Sequence, residues 1–415
     1  MMPSPIPLLQ GKRLLLGVSG SIAAYKAADL ASRLTQAGAM VDVILTPAAE
    51  KFVTPLTFAS VTGRKAYTEA DLWGDEAHVL HVGLGQAADL MLIAPATANS
   101  IAQLAQGKGD TLLTLTALAC RAPLIVAPAM DAGMFDNPAT QENVETLRRR
   151  GVILAGPEAG RMASGLSGMG RMVEPAALVG HARLALGRAG RLAGKTVVVT
   201  AGGTHEPLDP VRVLANRSSG KQGFALAQAA RDRGARVILI SGPTHLITPV
   251  GTERIDVRTA AEMKAAVLES CVGADALLMA AAVADFRPAV PAGQKLKRSQ
   301  GVPEVVLEPT DDILAAVVEL RAKSGRPVVV VGFAAESQDL VAHAREKLKA
   351  RNLSLIVAND ITAPDAGFGV DTNRVSLVDT SGAVESLPLM SKDQVGEAVL
   401  DRVVTQLGGG PPGPG

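Results

Sequence analysis

Leu14-Leu15-Leu16-Gly17-Val18-Ser19-Gly20-Ser21-Ile22-Ala23-Ala24-Tyr25-Lys26 sets the pattern that decides the fold. An unbroken apolar run reads as a strand covered on both faces, because a half-exposed strand would alternate. The small residues after it read as a tight turn, and the Ala-rich stretch beyond as a helix. Similar runs recur at 41–45, 90–94, 124–127, 197–200, 237–240, 276–281, 328–331 and 355–358. Ala- and Leu-rich helical stretches, one of them at 343–351, separate them. This alternation predicts an α/β protein of doubly wound, Rossmann-like (flavodoxin-like) domains with mostly parallel sheets.

The pattern occurs twice. Gly11-Lys12-Arg13-Leu14-Leu15-Leu16 resembles Gly194-Lys195-Thr196-Val197-Val198-Val199. Each copy runs through its helix into a second strand, at Gly38-Ala39-Met40-Val41 and Gly234-Ala235-Arg236-Val237. Two domains therefore begin near residues 10 and 193, with a basic, glycine-containing joint at 187–194. The expected division is 1–190, 191–407 and a Gly/Pro tail, 408–415, that cannot pack and is expected to be disordered. The second copy carries an insert, 205–217, between its first strand and helix. That is the carboxyl edge of the sheet, where such folds bind ligands.

Hydrophobic residues make up 47 % of the 415 residues, ample for two cores, while aromatics are only 2 %. Lys and Arg number 41 against 40 Asp and Glu, a formal charge of +1, so no global field draws nucleic acid or a membrane surface. Few aromatics also leave little material for stacking bases. The two cysteines make no disulfide scaffold and no C-x-x-C spacing, and the sequence assigns no metal ligands. Prolines stand in residues 1–12 where a secretory signal needs a basic and then an apolar region. The apolar runs fall far short of the roughly 18 residues that cross a bilayer. A soluble, cytoplasmic protein working on small molecules is expected, with neither nucleic acid nor membrane as partner.

In the first half, Ser19-Gly20-Ser21 lets a phosphate approach backbone N–H groups at a helix start, but reads equally as an ordinary strand–helix turn. It is neither G-x-G-x-x-G nor G-x-x-x-x-G-K-[ST]. Thr46-Pro47-Ala48-Ala49, Ala94-Pro95-Ala96-Thr97-Ala98-Asn99 and Ala127-Pro128-Ala129-Met130-Asp131 close three more strands at the same edge. Together these small polar loops suit a planar cofactor with a polar tail. His81 precedes a strand, and a lone histidine is more often structural than catalytic. In the second half, Ser218-Ser219-Gly220-Lys221 opens a helix as an anion site or as a plain N-cap beside a solvated lysine. Asp285 ends a strand, Lys295-Leu296-Lys297-Arg298 lies on a Gly/Pro loop, and Ala358-Asn359-Asp360 ends another strand. Lys347 and Arg351 share one helix face, placed to grip phosphates.

The segments S-G-S-I-A-A-Y-K, the His81 loop, A-P-A-T-A-N and P-A-M-x-x-x-M resemble the flavoprotein cysteine decarboxylases, in family order. D-P-V-R-x-x-x-N-x-S-S-G-K, A-A-V-A-D-F, K-x-K, G-F-A-A-E and A-N-D resemble a ligase family. Over roughly residues 10–405 the chain is similar to the bifunctional phosphopantothenoylcysteine decarboxylase/phosphopantothenate–cysteine ligases of coenzyme A biosynthesis. The resemblance implies FMN held by Gly20, Ser21, Ile22, Thr46, Thr97 and Asn99, with His81 as the acid/base group and Asp131 at the substrate carboxylate. It implies that CTP with Mg2+ activates 4′-phosphopantothenate as an acyl-cytidylate, which the amine of L-cysteine attacks. Arg212 and Asn216 would hold and polarise that intermediate, and Lys295 would stabilise the triphosphate. Asp285, Phe333, Lys347 and Arg351 would line the CTP site beside Lys295. Homo-oligomers are implied, through trimeric contacts in the flavin half and dimeric ones in the ligase half.

Three departures stand out. Asp131 replaces the family's Asn, exchanging an amide donor for a group that repels a carboxylate when ionised. Ser164 replaces the cysteine that donates a proton in many members, and a hydroxyl is a far poorer acid than a thiol. Glu308-Pro309-Thr310-Asp311-Asp312 is more acidic than the family's segment, which bears on CTP over ATP. The alternatives are a ligase with an inactive FMN-binding half and a two-domain nicotinamide-dependent oxidoreductase. The second lacks a G-x-G-x-x-G in context and leaves the insert unexplained.

Overall fold

The computed structural model describes residues 5–73, 79–163, 165, 167–297, 303–336, 340–360 and 369–408. The chain divides into two compact units, Met1–Gly187 and Arg188–Gly415.

In the first unit, β1 (Arg13–Val18), β2 (Met40–Leu45), β3 (Ala66–Tyr67), β4 (Leu90–Ala96), β5 (Leu124–Pro128) and β6 (Ile153–Leu154) form a parallel sheet in the order 3-2-1-4-5-6. Its connecting helices are α1 (Ala24–Gln36), α2 (Pro55–Thr62), α3 (Leu80–Ala87), α4 (Ala98–Gln106), α5 (Leu112–Ala119), α6 (Ala132–Phe135), α7 (Pro138–Arg149) and α8 (Pro175–Gly187). The quoted run explains itself here. Leu14, Leu16 and Val18 bury one face of β1 against α1 and α8, and Leu15 buries the other among residues of α3, α4 and α5. Helix α1 turns Ala24, Ala27, Leu30, Ala31 and Leu34 inward at helical spacing. The order of the strands reverses between β1 and β4, which leaves a crevice at their carboxyl ends. A hairpin of β7 (Glu158–Arg161) and β8 (Ser167–Arg171) follows β6.

The second unit is built around β9 (Thr196–Ala201), with Val197 and Val199 in one core and Val198 in the other. The insert folds into a ribbon, β10 (His205–Pro207) and β11 (Val213–Ala215). The sheet continues with β12 (Arg236–Ser241), β13 (Glu253–Asp256) and β14 (Ala276–Met279). A second ribbon pairs β15 (Phe286–Pro288) with β16 (Leu307–Pro309). Strands β17 (Val329–Glu336) and β18 (Leu355–Asp360) are followed by β19 (Thr372–Asn373), β20 (Val375–Asp379), β21 (Val384–Ser386) and β22 (Met390–Ser391). The sheet order is 13-12-9-14-17-18-20-21, parallel except for β20, which runs against both its neighbours β18 and β21. Helices α9 (Lys221–Asp232) and α13 (Lys392–Gln406) cover one face, while α10 (Ala260–Cys271), α11 (Ile313–Ser324) and α12 (Leu340–Ala350) cover the other.

Two expected elements shift. The run 276–281 stops being a strand at Met279, because the Ala281 N–H donates to Thr200 Oγ1 and the Ala282 N–H to the Gly202 carbonyl. The helix expected from 343 begins at Leu340. Cys271 is fully buried, and burial pushes its thiol up to about 12, whereas Cys120 is only half-buried. The tail beyond Gly408 lies outside the described residues.

Candidate functional site

At the carboxyl edge of the first sheet, a side-chain bridge and close backbone packing join the strand-end loops. The buried Ser19 hydroxyl donates to the Pro95 carbonyl at 2.8 Å and accepts from the Thr97 N–H at 2.9 Å, joining the β1 turn to the β4 loop. Gly20 packs on the Thr46 loop so closely that a Cβ would lie 2.4 Å from that of Ala48, so only glycine fits. Ser21 Oγ accepts from the Ala23 N–H, and Thr46 Oγ1 from the Ala49 N–H. Thr97 caps α4 by accepting from the Ser100 N–H at 3.3 Å, and Asn99 follows it on the first turn. Ile22 leaves 60 % of its surface open beside these polar groups. His81, half-buried, is the second residue of α3, whose start lies at this edge because the helix returns the chain to β4.

Asp131 caps α6, its Oδ1 accepting from the Gly133 N–H at 3.0 Å. The β7–β8 hairpin lies directly on this turn. The Met130 N–H donates to the Gly170 carbonyl at 3.0 Å, and a Cβ on Gly168 would stand 2.7 Å from that of Ala132. Arg171 and Lys26 both pair with Glu174 and hold its carboxyl below the usual range. Ser164, in the same hairpin connection, lies outside the described residues.

The second unit carries a cavity of about 750 Å³ at the carboxyl edge of its sheet. The start of α9 forms one wall, where Gly220 adopts a left-handed φ of 79° to turn the chain from Ser218 into the helix. Asn216, Asp285, Phe333, Lys347 and Arg351 all line it. Lys347 Nζ donates to the Phe333 carbonyl at 3.2 Å, and Arg351 pairs with Asp312 at 2.7 Å. Asn216 Nδ2 donates to the carbonyls of Ala282 (3.3 Å) and Val283 (3.1 Å), so Oδ1 is the open end of its amide.

Arg212 and Lys295 do not line the cavity. They stand near each other instead: Arg212 Nη2 donates to the carbonyl of Leu296, the neighbour of Lys295, at 3.2 Å. Asn359 and Lys392 stand out among the cavity residues that were given no role from the sequence. Asn359 Oδ1 is buried with no hydrogen-bond partner among the described residues. Lys392, only 7 % exposed, donates from Nζ to the Val370 carbonyl at 2.6 Å beside the 2.6 Å pair of Lys221 and Asp371. Burial and the neighbouring Lys221 pull the Lys392 pKa down, against Asp371. Lys392 is marked in the sequence only as the start of a capped helix, since Ser391 and Gln394 form a capping box. Its approach to Lys221 needs the tertiary fold. Among the described residues no group of three or more His, Cys, Asp or Glu could hold a metal, and no helix is long and apolar enough to cross a membrane.

Comparison with known proteins bears on both halves. Residues 7–183 match the family model described as flavoprotein. Residues 192–407 match the DNA/pantothenate metabolism flavoprotein C-terminal domain. The coenzyme A biosynthesis bifunctional protein CoaBC of Vibrio cholerae is 47 % identical over 401 residues, 96 % of this chain and 99 % of that one. The protein of the same name from Bacillus subtilis is 44 % identical over 399 residues, 95 % and 97 % of the two chains. Among solved structures, the C-terminal domain of a coenzyme A biosynthesis bifunctional protein CoaBC is 36 % identical with a TM-score of 0.45, covering 52 % of this chain and 98 % of that one. Two family matches end to end, with relatives alike over nearly their whole length, leave one conclusion: the chain belongs to the bifunctional CoaBC enzymes of coenzyme A biosynthesis, a flavoprotein decarboxylase half followed by a ligase half.

Proposed function

We propose that the second unit joins L-cysteine to 4′-phosphopantothenate at the expense of CTP, and that the first decarboxylates the product with FMN to give 4′-phosphopantetheine. The observation that carries the ligase reading is the cavity of about 750 Å³, which gathers the α9 N-terminus, Lys221, Lys347 and Arg351 at one sheet edge. Phosphate groups need that convergence of backbone donors and cations. A carboxylate oxygen of phosphopantothenate attacks the α-phosphorus of CTP and pyrophosphate leaves. The cysteine amine then attacks the acyl carbon and CMP leaves. Lys347 and Arg351 stabilise charge on the phosphates from the cavity wall, Lys295 adds its charge from the loop outside that wall, and Asp285 and Phe333 frame the nucleotide. Arg212 supplies positive charge at the acyl oxygen. Asn216, whose N–H groups are taken by two carbonyls, holds the acyl intermediate through Oδ1 as an acceptor. Mg2+ would come to the site bound to the triphosphate, whose charge it offsets.

The first unit's edge fits FMN by the chemistry of its donors. Ser21, Thr46, Thr97 and Asn99 offer neutral hydroxyl and amide groups with a helix N-terminus for a phosphate and a polyol. Gly20 admits close approach, and the open face of Ile22 suits a ring. Bound FMN supplies two-electron chemistry at the cysteinyl thiol, which makes loss of CO2 possible. His81 moves the proton, Asp131 sits at the substrate carboxylate, and the hairpin over Met130–Ala132 keeps water out. The family resemblance also supports a cytoplasmic homo-oligomer.

Incubation of the protein with 4′-phosphopantothenate, L-cysteine, CTP and Mg2+ tests the whole reading. CMP, CO2 and 4′-phosphopantetheine are expected. CMP without CO2 would reduce the first half to a flavin-holding unit, as Asp131 and Ser164 would then explain, and neither product would end the assignment.

A further inference from the structure

Asp209 precedes an exposed stretch, Pro210–Arg212, yet its own side chain is 0 % exposed. Its Oδ1 accepts from the N–H groups of Val211 (2.8 Å) and Arg212 (2.7 Å). Its Oδ2 accepts from the N–H of Leu296 at 3.2 Å, 87 residues away, and stands 3.5 Å from the Arg212 guanidinium. Two further bonds run between the same segments, from Arg212 Nη2 to the Leu296 carbonyl (3.2 Å) and from the Ala292 N–H to the Leu208 carbonyl (3.0 Å). A shielded carboxylate is costly unless its lone pairs are used, and here both oxygens are. An ionised carboxylate is also the short side chain that offers two acceptor oxygens and no donor, which this arrangement of N–H groups requires. Burial works to raise the pKa of Asp209, but the three N–H donors and Arg212 outweigh it and hold the group below the ordinary carboxylate range.

We propose that Asp209 is a positioning residue for the ligase reaction: its carboxylate locks the 291–297 loop to the 209–212 turn, so that Lys295 and Arg212 act as one cationic unit. The proposal rests on the ligase roles of Lys295 and Arg212 given above. It adds that Arg212 is held by Asp209 and the Leu296 carbonyl, whereas Lys295 is placed through the backbone of its loop. Lys295 is exposed on a loop without regular structure, and the link through Leu296 fixes where that loop runs.

Asp209→Asn in the full-length protein tests this. The amide keeps the size but turns one acceptor into a donor, which must then face an N–H. Backbone hydrogen exchange in residues 293–297 should speed up about tenfold or more, and the ligase kcat should fall by about 10- to 100-fold with the KM for CTP little changed. Decarboxylation of supplied 4′-phosphopantothenoylcysteine should hold. In a Lys295→Ala background, Asp209→Asn should cost less than it does in the wild type, since only its hold on Arg212 remains to be lost. Wild-type exchange and kcat in Asp209→Asn would overturn the proposal, as would losses that multiply with those of Lys295→Ala. If Lys295→Ala alone leaves CMP release unchanged, the role of Lys295 falls and the proposal with it. If Lys295→Ala is slow and Asp209→Asn is not, only the proposal falls. Should Asp209→Asn fail to fold, Leu296→Pro removes the long-range donor while leaving Asp209 and its local turn in place, and is read by the same measurements.

Discussion

The carboxyl edges of the two sheets are built from the same strand–turn–helix unit and differ in charge. At the first, Ser19, Ser21, Thr46, Thr97 and Asn99 present neutral groups: Ser19 bonds the β1 turn to the β4 loop at 2.8 and 2.9 Å, and Ser21, Thr46 and Asn99 bond within their own turns at 3.2 to 3.3 Å. At the second, Lys221, Lys347, Arg351 and Lys392 surround a cavity of about 750 Å³, and Asp285, Asp311 and Asp312 share its walls. A neutral, cross-braced edge suits a cofactor held through every turnover. A charged, open edge suits phosphate-bearing substrates that must leave after each one, because ionic contacts attract strongly and exchange with water and salt. The insert and the two ribbons belong to the second edge only, which is where the extra cations Arg212 and Lys295 are carried.

His81→Asn should have the largest effect at the neutral edge. Loss of a proton-transfer group slows decarboxylation by about 10²–10⁴-fold, read as CO2 release, while flavin absorbance and CMP release persist. Loss of the flavin itself would show that His81 braces the edge instead. At the charged edge, Lys347→Ala should cut the ligase kcat/KM for CTP by about 10²–10³-fold with decarboxylation of supplied substrate intact. Loss of both activities would break the separation between the two edges.

Asp131→Asn sharpens the comparison within the neutral edge. Asparagine keeps the cap on α6, so thermal stability should hold. Removing a carboxylate beside the substrate's own, worth about 1 kcal/mol in a solvated site, should lower the KM for 4′-phosphopantothenoylcysteine by roughly fivefold. An inert variant would give Asp131 a direct part in the reaction.

The smallest effect is expected at the opposite end of the second sheet. Asp275 accepts from the Thr196 N–H at 2.9 Å and pairs with Arg326 and Lys195. Burial works to raise its pKa, but these partners outweigh it and hold it low. With the folded value below the unfolded one of about 3.9, its stabilisation is present above that pH and is lost as pH falls through the folded value. Asp275→Asn should lower the Tm by about 3–6 °C at pH 7, and the gap should close as the pH drops below about 4. A gap that persists in acid would assign the effect to packing.

The sequence by itself determined the class of fold, because continuous apolar strands can be buried only between two helical layers. Residues 14–18 and 197–200 lie within β1 and β9 for that reason. It also marked Asn216, Phe333, Lys347 and Arg351, which lie just after β11, within β17, and on or one residue beyond α12, elements that the local pattern of the chain suffices to place. It did not reveal Lys392, which the close packing of α13 on α9 brings to Lys221 from 171 positions away. Nor did it show that Asn216 spends its N–H groups on Ala282 and Val283, since a side chain's bonds depend on which backbone arrives beside it. Asp209 is the clearest case. As one letter of D-P-V-R it reads as a turn residue, bonding two residues ahead. Only the tertiary structure carries Leu296 to its second oxygen, because a contact across 87 residues is set by the packing of two ribbons and not by any local preference of the chain.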